Sequence, residues 1–574
     1  MQIKSKFAFV LLLTFFALKV KAQSDNIELS DKQNILINRL DIKLRGDSVM
    51  QFTTVKPYNR ARITARIEKI DSLYKAGILG TKLSKVDEYN IRSLLMNNSD
   101  WTTHYTDSFR VKRPIFNTFF KTPAHLYEVN NPGQYSIIVD PVLSLSEGHS
   151  NDGTNTYVNT RGIRFRGQVD NRLGYYFFFS ENQERDPLYV RQYTNAHYGL
   201  PGKGYYKNYG TNAYDYFDAR GGVTFHAGKN MDFQVGYDRF FIGDGYRSLF
   251  LSDNSAPFYF VKFGLQAGKV KYTAVGAQTI APFITNNDST RPRNYMMFHY
   301  LTWQATNWLK VGFYENTMYN SKINGGFQVS YLNPATFNRG MSQATGNSAK
   351  SSIGLDFKAN FAKHFQAYGQ WLINEFHIDK IFEFGKGNWV NKEGFQLGGK
   401  YIDAFTVKNL DLQLEGNIVR PFTYMDKWTQ NNFTHYNQPL ADPLGANFKE
   451  VIAIANYQPL PKLSFTAKAI FYKKGLDTSA AFATAIDQPN YGGDLFRNYN
   501  DMRMNQDGYF PGQGAYSVNA LLGSLTASYE VIQNLFIDAN LTYRRYDIDT
   551  KPKDHTKMFS IGLRWNIARR AFNF

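Results

Sequence analysis

Beyond about residue 130 the chain is written in a two-residue period. In 231–239, Met231, Phe233, Val235 and Tyr237 alternate with Asp232, Gln234, Gly236 and Asp238. In 410–418, Leu410, Leu412, Leu414 and Ile418 alternate with Asp411, Gln413, Glu415 and Asn417. In 535–543, Leu535, Ile537, Ala539, Leu541 and Tyr543 alternate with Phe536, Asp538, Asn540 and Thr542. Successive side chains of a strand point to opposite faces, so each segment has one greasy and one wet face. Carboxylates turned towards lipid cost kilocalories each, which pins the register.

The spacing of these segments carries the topology. Tight turns are expected near Asn171, Lys229-Asn230, Gly268-Lys269, Thr306-Asn307, Lys363-His364, Lys408-Asn409, Leu460-Pro461 and Gln533-Asn534. Between them fall longer connections near 148–154, 183–218, 242–256, 281–293, 320–348, 376–393, 422–448, 472–514 and 546–556. Eight short and nine long connections give eighteen strands. Short turns on one side and long loops on the other are the rhythm of a closed transmembrane antiparallel β-barrel. The even number puts both barrel ends on the periplasmic side. The expected fold is therefore all-β, a barrel over residues 132–574.

Residues 1–131 break the pattern. Lys4 and Lys6, an apolar run from Phe7 to Leu18 and Val20-Lys21-Ala22 read as a secretory signal peptide over 1–22, with maturation at Gln23. Over 23–131 the spacing predicts a small helical domain on the periplasmic side, or a partial plug, followed by a connecting arm. Ile63, Ile67, Ile70 and Leu73 recur at helical spacing, Gly77 and Gly80 interrupt, and Ile91, Leu94 and Leu95 resume. Ser84 with Asp87 resembles a capping box, and Lys32 to Leu44 reads as an earlier amphipathic helix. Thr106 to Asn131 is the arm.

Composition agrees with export into a membrane. Mean hydropathy is only −0.43, yet 16% of residues are aromatic, with 39 Tyr and 47 Phe. Barrel strands are apolar on one face only and carry aromatic girdles, which reconciles the two. The absence of cysteine excludes disulfides and thiolate metal sites. A formal charge of +18 points to lipopolysaccharide, anionic outer-membrane lipid or acidic glycans rather than nucleic acid. The chain ends in Phe574, although Arg569-Arg570 intervene after the last strand.

Candidate chemistry concentrates in loops. Segment 240–258, FFIGDGYRSLFLSDNSAPF, is mixed in character and allows two readings: an ordered outer loop that satisfies its own backbone, which is the commoner case, or a loop that folds inward and constricts the pore, with Tyr246 and Arg247 lining it. Glu315, Asp356, Glu375 and Glu415 are expected in the lumen opposite Arg164, Arg166, Arg420 and Arg544, chiefly as structural ion pairs. Loops 422–448 and 472–514 are rich in Tyr, Trp, His and amides, a composition that fits a glycan- or protein-binding surface and equally girdle residues and loop packing. Asn151-Asp152-Gly153 with Asn155 echoes a calcium loop but reads better as a turn. No nucleophile-elbow, zincin or Walker spacing occurs, so neither an enzyme nor a cofactor or metal is expected.

These segments also resemble a known family. FFIGDGYRSLFLSDNSAPF is similar to a loop of the Wzi capsule-assembly family. YLNP at 331–334, YGQWLINEF at 368–376, GFQLGGKY at 394–401, EGNIVRPFTY at 415–424 and THYNQPLADPLGAN at 434–447 resemble its Bacteroidota branch, which includes gliding motility protein RemB. The resemblance implies an eighteen-stranded outer-membrane barrel with periplasmic helices that attaches or organises surface polysaccharide or supports gliding. Motility or secretion machinery would then be partners. The candidate polysaccharide-binding residues are Asp244, Tyr246, Arg247, Asn254, Tyr331, Asn333, Arg420, Tyr424, His435 and Tyr436. Arg and Asp would hold polar substituents, while Tyr and His would stack or donate. The alternative is a diffusion channel or transporter for small solutes or oligosaccharides.

Overall fold

The computed structural model describes residues 24–103, 107–131, 133–170, 172–227, 230–284, 291–320, 326–333, 337–346, 349–375, 380, 384–477, 489–501, 507–549 and 553–574. The expected signal peptide, Asn171 and Lys229 lie outside the described residues.

Among the described residues, 18 antiparallel strands close into a barrel. In chain order they are β1 (Tyr135–Ser150), β2 (Asn155–Val169), β3 (Leu173–Arg185), β4 (Ala213–Ala227), β5 (Met231–Asp238) and β6 (Phe258–Ala267). Then come β7 (Val270–Ile280), β8 (Arg293–Gln304), β9 (Leu309–Asn320), β10 (Ala349–Phe361), β11 (Phe365–Glu375) and β12 (Lys392–Tyr401). The wall ends with β13 (Leu410–Val419), β14 (Phe448–Leu460), β15 (Leu463–Leu476), β16 (Tyr516–Ile532), β17 (Leu535–Ile548) and β18 (Asp554–Trp565). β18 lies against β1, with Phe559 opposite His149 and Trp565 opposite Leu143, so no edge is left open.

The register follows the two-residue period. On β13, Leu414 is 61% and Ile418 42% exposed, whereas Glu415 and Asn417 are buried in the lumen. On β17, Ile537 and Leu541 face out and Asp538 and Asn540 face in. Connections at 268–269, 305–308, 362–364, 461–462 and 533–534 are short, as expected. Three expectations need correction. The connections at 151–154 and 549–553, expected long, are themselves short, because β1, β2, β17 and β18 run further than their patterning. At the first, Asp152 accepts the Thr154 N–H and closes a turn. The connection expected to be tight at Lys408-Asn409 spans 402–409, because Asp403 and Asn409 there receive a helix of the N-terminal region.

That region holds helices α1 (Gln33–Lys43), α2 (Arg60–Lys75) and α3 (Lys85–Asn97). They bury Ile37, Leu40, Ile63, Ile67, Ile91 and Leu94 against one another. Ser84 and Asp87 form the expected capping box at the start of α3. The bundle is seated in the short-turn end of the barrel. Lys358 donates to Asp41 at 2.6 Å, Asn360 to the Asp41 carbonyl at 3.0 Å and Gln533 to Ser93 at 2.7 Å. Arg39 reaches Asp403 at 2.8 Å and also pairs with Asp411. The arm adds a short strand, Tyr127–Asn131, to the edge of β1.

Candidate functional site

The connection between β5 and β6 folds into the lumen. Phe241–Ile242 pairs as a short strand with Val55–Lys56, which rises from the N-terminal bundle. Asp244 then sits among cations: its carboxylate is 3.0 Å from Lys310 and 3.2 Å from Lys358, and it accepts the Thr54 hydroxyl at 2.7 Å. Lys400 donates to the Asp244 carbonyl at 2.6 Å. Gly245 is required where it stands, since a Cβ there would lie 2.5 Å from a Glu415 oxygen. That close approach lets the Tyr246 and Arg247 amides donate to Glu415 at 2.6 and 3.0 Å. Beyond them, Leu249 donates to Gln370 at 2.8 Å and Phe250 stacks on Tyr314, so the rest of the loop is bolted to the barrel wall.

A second segment enters from the short-turn end. After β18, Asn566 donates to the Pro141 carbonyl at 2.9 Å, and the chain then crosses the lumen. Arg570 pairs with Glu184 and donates to Tyr216 at 3.0 Å and to the Pro201 carbonyl at 3.1 Å. Phe574 packs on Tyr193 with centroids 4.4 Å apart. Arg569-Arg570 after the last strand are thus explained: residues 566–574 are lumen filling, and the wall itself ends at Trp565.

Loop 420–447 closes the long-loop end, and its side-chain amides staple backbone to backbone. Asn432 donates to the carbonyls of Leu495 and Arg497 and accepts the Asp426 N–H. Asn437 bridges the carbonyls of His197 and Phe283, and Asn447 those of Tyr491 and Gln513. His435 accepts the Ile280 N–H on Nδ1 and donates from Nε2 to the Pro257 carbonyl. Burial pushes its pKa down to about 4, so the ring is neutral.

What remains is a cavity of about 690 Å³, walled by Lys56, Arg239, Tyr246, Arg247, Asn254 and Arg569 among others. Of the ten candidate residues, Tyr246, Arg247 and Asn254 line it. Arg247 is engaged there, 2.8 Å from Glu450 and 2.7 Å from the Asn573 carbonyl. Tyr246 accepts from Lys468 at 2.7 Å, and Asn254 donates to Pro439 at 3.2 Å. Asp244 lies beneath them as the latch to the N-terminal bundle. The other six are not brought together with these. Arg420 is spent on the carbonyls of Asn391 and Asn388, and the Tyr424 hydroxyl on the Leu249 carbonyl. His435 holds Pro257 and Ile280, while Tyr436 packs edge-on to Phe283. Tyr331, bonded to Ser342, and exposed Asn333 belong to the connection after β9. Sequence reasoning missed Arg239 and Arg569. The only signal for Arg569 was the basic pair that interrupts the end of the chain. Among the described residues no group of metal-ligating side chains converges.

No protein-family model matches the chain, and no curated protein matches it. Solved structures do. One is Wzi, an outer-membrane protein involved in group 1 capsule assembly in Escherichia coli and a carbohydrate-binding β-barrel. It is 12% identical with a TM-score of 0.53, and the match covers 95% of this chain and 100% of that one. Pseudomonas aeruginosa OprD aligns at 11% identity and a TM-score of 0.39, over 75% of this chain and 94% of its own. Pseudomonas aeruginosa OccK2, solved with glucuronate, gives 9%, 0.40, 75% and 98%. The likeness to Wzi is one of fold: an outer-membrane-type barrel along essentially the whole chain.

Proposed function

We propose that this protein is an outer-membrane barrel that binds and organises surface polysaccharide without catalysing a reaction. Its helical bundle would face the periplasm and its long loops the exterior. The observation that carries the reading is the cavity left between the inward loop, residues 566–574 and the barrel wall. It sets aromatic rings, Tyr157, Tyr216 and Tyr246 among them, beside amide and guanidinium groups of Asn254, Arg239 and Arg569. Aromatic faces stack on sugar rings, and planar guanidinium groups hold hydroxyls and acidic substituents. The filled lumen favours this over a diffusion channel. Support for gliding, and membership of the Bacteroidota branch of Wzi-like proteins, rest on the sequence resemblance.

The test is retention of the detergent-solubilised protein on immobilised surface glycan of the source cell. Arg569→Ala and Asn254→Ala should weaken retention about tenfold each, the loss of roughly one charge-assisted contact. Arg247→Ala is unsuitable because it also strips buried Glu450 of its partner. Failure of the wild-type protein to bind any surface glycan of that cell would overturn the reading.

A further inference from the structure

The lipid-facing side of the barrel is unevenly clad. Two neighbouring rungs across β13 to β17 carry mainly small side chains. One passes from Leu414 through Ala453, Ala469 and Gly523 to Tyr543, each opposite the next. The other passes from Leu412 through Ala455 and Ala467 to Leu525. With no bulk along this floor, the outer surface sinks into an apolar groove of about 1320 Å³, which has Phe365 and Tyr401 at one end and Lys557 at the other.

On the long-loop side of the groove the apolar band stops at cations. On β14 and β15 the outward residues Val451 and Phe471 oppose each other, and the next outward pair is Lys449 opposite Lys473. On β18 the residue beyond Phe559 is Lys557. All three lysines are exposed, and among the described residues none makes an ion pair or side-chain hydrogen bond. Arg545 on β17, in the rung of Val451 and Phe471, is by contrast already paired with Asp547. Two like charges directly opposite on adjacent strands repel, so the Lys449–Lys473 pair favours a shared anion. Four residues separate Lys449 from Ala453, about 13 Å along the strand. Half a hydrocarbon core is about 15 Å, so ammonium groups at phosphate level leave the groove floor among acyl chains.

We propose that this face binds a phosphorylated, multiply acylated lipid of the surrounding leaflet, with acyl chain in the groove and phosphate between Lys449 and Lys473. Lys557 holds the groove's far end. Flexible alkyl chain fills a narrow, small-residue hollow that the convex wall of a second barrel would bridge, and the uncompensated lysines select an anionic headgroup. This inference rests on the outer-membrane reading but not on polysaccharide binding.

The test is native mass spectrometry of the full-length protein from detergent micelles doped with diphosphoryl lipid A or, separately, with phosphatidylethanolamine. Lipid A should stay bound one to one while phosphatidylethanolamine is lost. Lys449→Gln with Lys473→Gln should lower lipid A retention about tenfold. Ala453→Leu with Ala469→Leu, which fills the floor and keeps the cations, should lower it as well. Heat-dependent gel migration verifies that each variant barrel is closed, and undiminished glycan retention separates this site from the lumen. Equal retention of the two lipids, indifference to both double variants, or a mass of two chains without lipid would each overturn the proposal. Extraction of the wild-type protein without detergent would instead overturn the membrane location itself.

Discussion

At the residue scale, the loop side chains with the chemistry of sugar recognition mostly recognise the protein's own backbone. His435 shows why composition alone could not separate the two uses. A ring that accepts the Ile280 N–H on Nδ1 must leave that nitrogen unprotonated. With its folded pKa pushed from 6.5 down to about 4, it is neutral in both folded and unfolded chains above pH 6.5. The stabilisation is therefore complete there and drains away as pH falls from about 6.5 towards 4, because only the unfolded ring readily takes the proton. Loop 420–447 should become protease-sensitive below about pH 5 while the strand signal in circular dichroism persists. His435→Asn should remove most of that pH dependence, and a loop equally resistant at pH 4 and pH 7 would contradict the assignment.

At the element scale, the strands were legible because one period governs each of them: Leu414 and Ile418 out, Glu415 and Asn417 in, over a segment long enough to leave no other register. The α3 start was legible for the same reason, since Ser84 and Asp87 satisfy a local rule. The pairing of Val55–Lys56 with Phe241–Ile242 was not legible: two-residue strands far apart in the chain carry no period and meet only because the barrel brings them together. Likewise the sequence of 240–258 left an outer and an inward loop both open, and which of its side chains stay free depends on carbonyls that sequence does not locate. Asp87 joins both kinds of information. It caps α3 and is 2.8 Å from Lys43 and 3.3 Å from Arg39. Burial raises its carboxyl pKa, but those two cations overcome the effect and hold it below the ordinary value. Ser84→Ala should cost about 1 kcal/mol, the usual loss of an N-cap. Asp87→Ala should cost about 3 kcal/mol, because it also leaves buried cations short of charge. Thermal melts followed at the helical wavelength check the order of the two.

At the scale of the whole molecule, an eighteen-stranded wall encloses more space than its own inward side chains fill, and the chain supplies the rest from three distant stretches. The N-terminal bundle closes one end, residues 239–257 cross the middle, and residues 566–574 run alongside them. Asp244 is the point where bundle, loop and wall are tied: Thr54, Lys310 and Lys358 all meet its carboxylate. With that tie intact, the full-length protein in a planar bilayer should be nearly silent. Asp244→Asn removes the ion-pair partner that Lys310 has among the described residues and weakens the hold on Lys358, which keeps Asp41. Breaking one partner of a buried charge cluster costs about 3 kcal/mol, which shifts a closed-to-open ratio by about a hundredfold. Brief openings should therefore appear in the variant, with the barrel still closed by gel migration. A large, steady conductance from the unmodified protein would mean that bundle and loop do not seal the bore. A diffusion channel would then be the better account of why the long loops and the charged lumen are there.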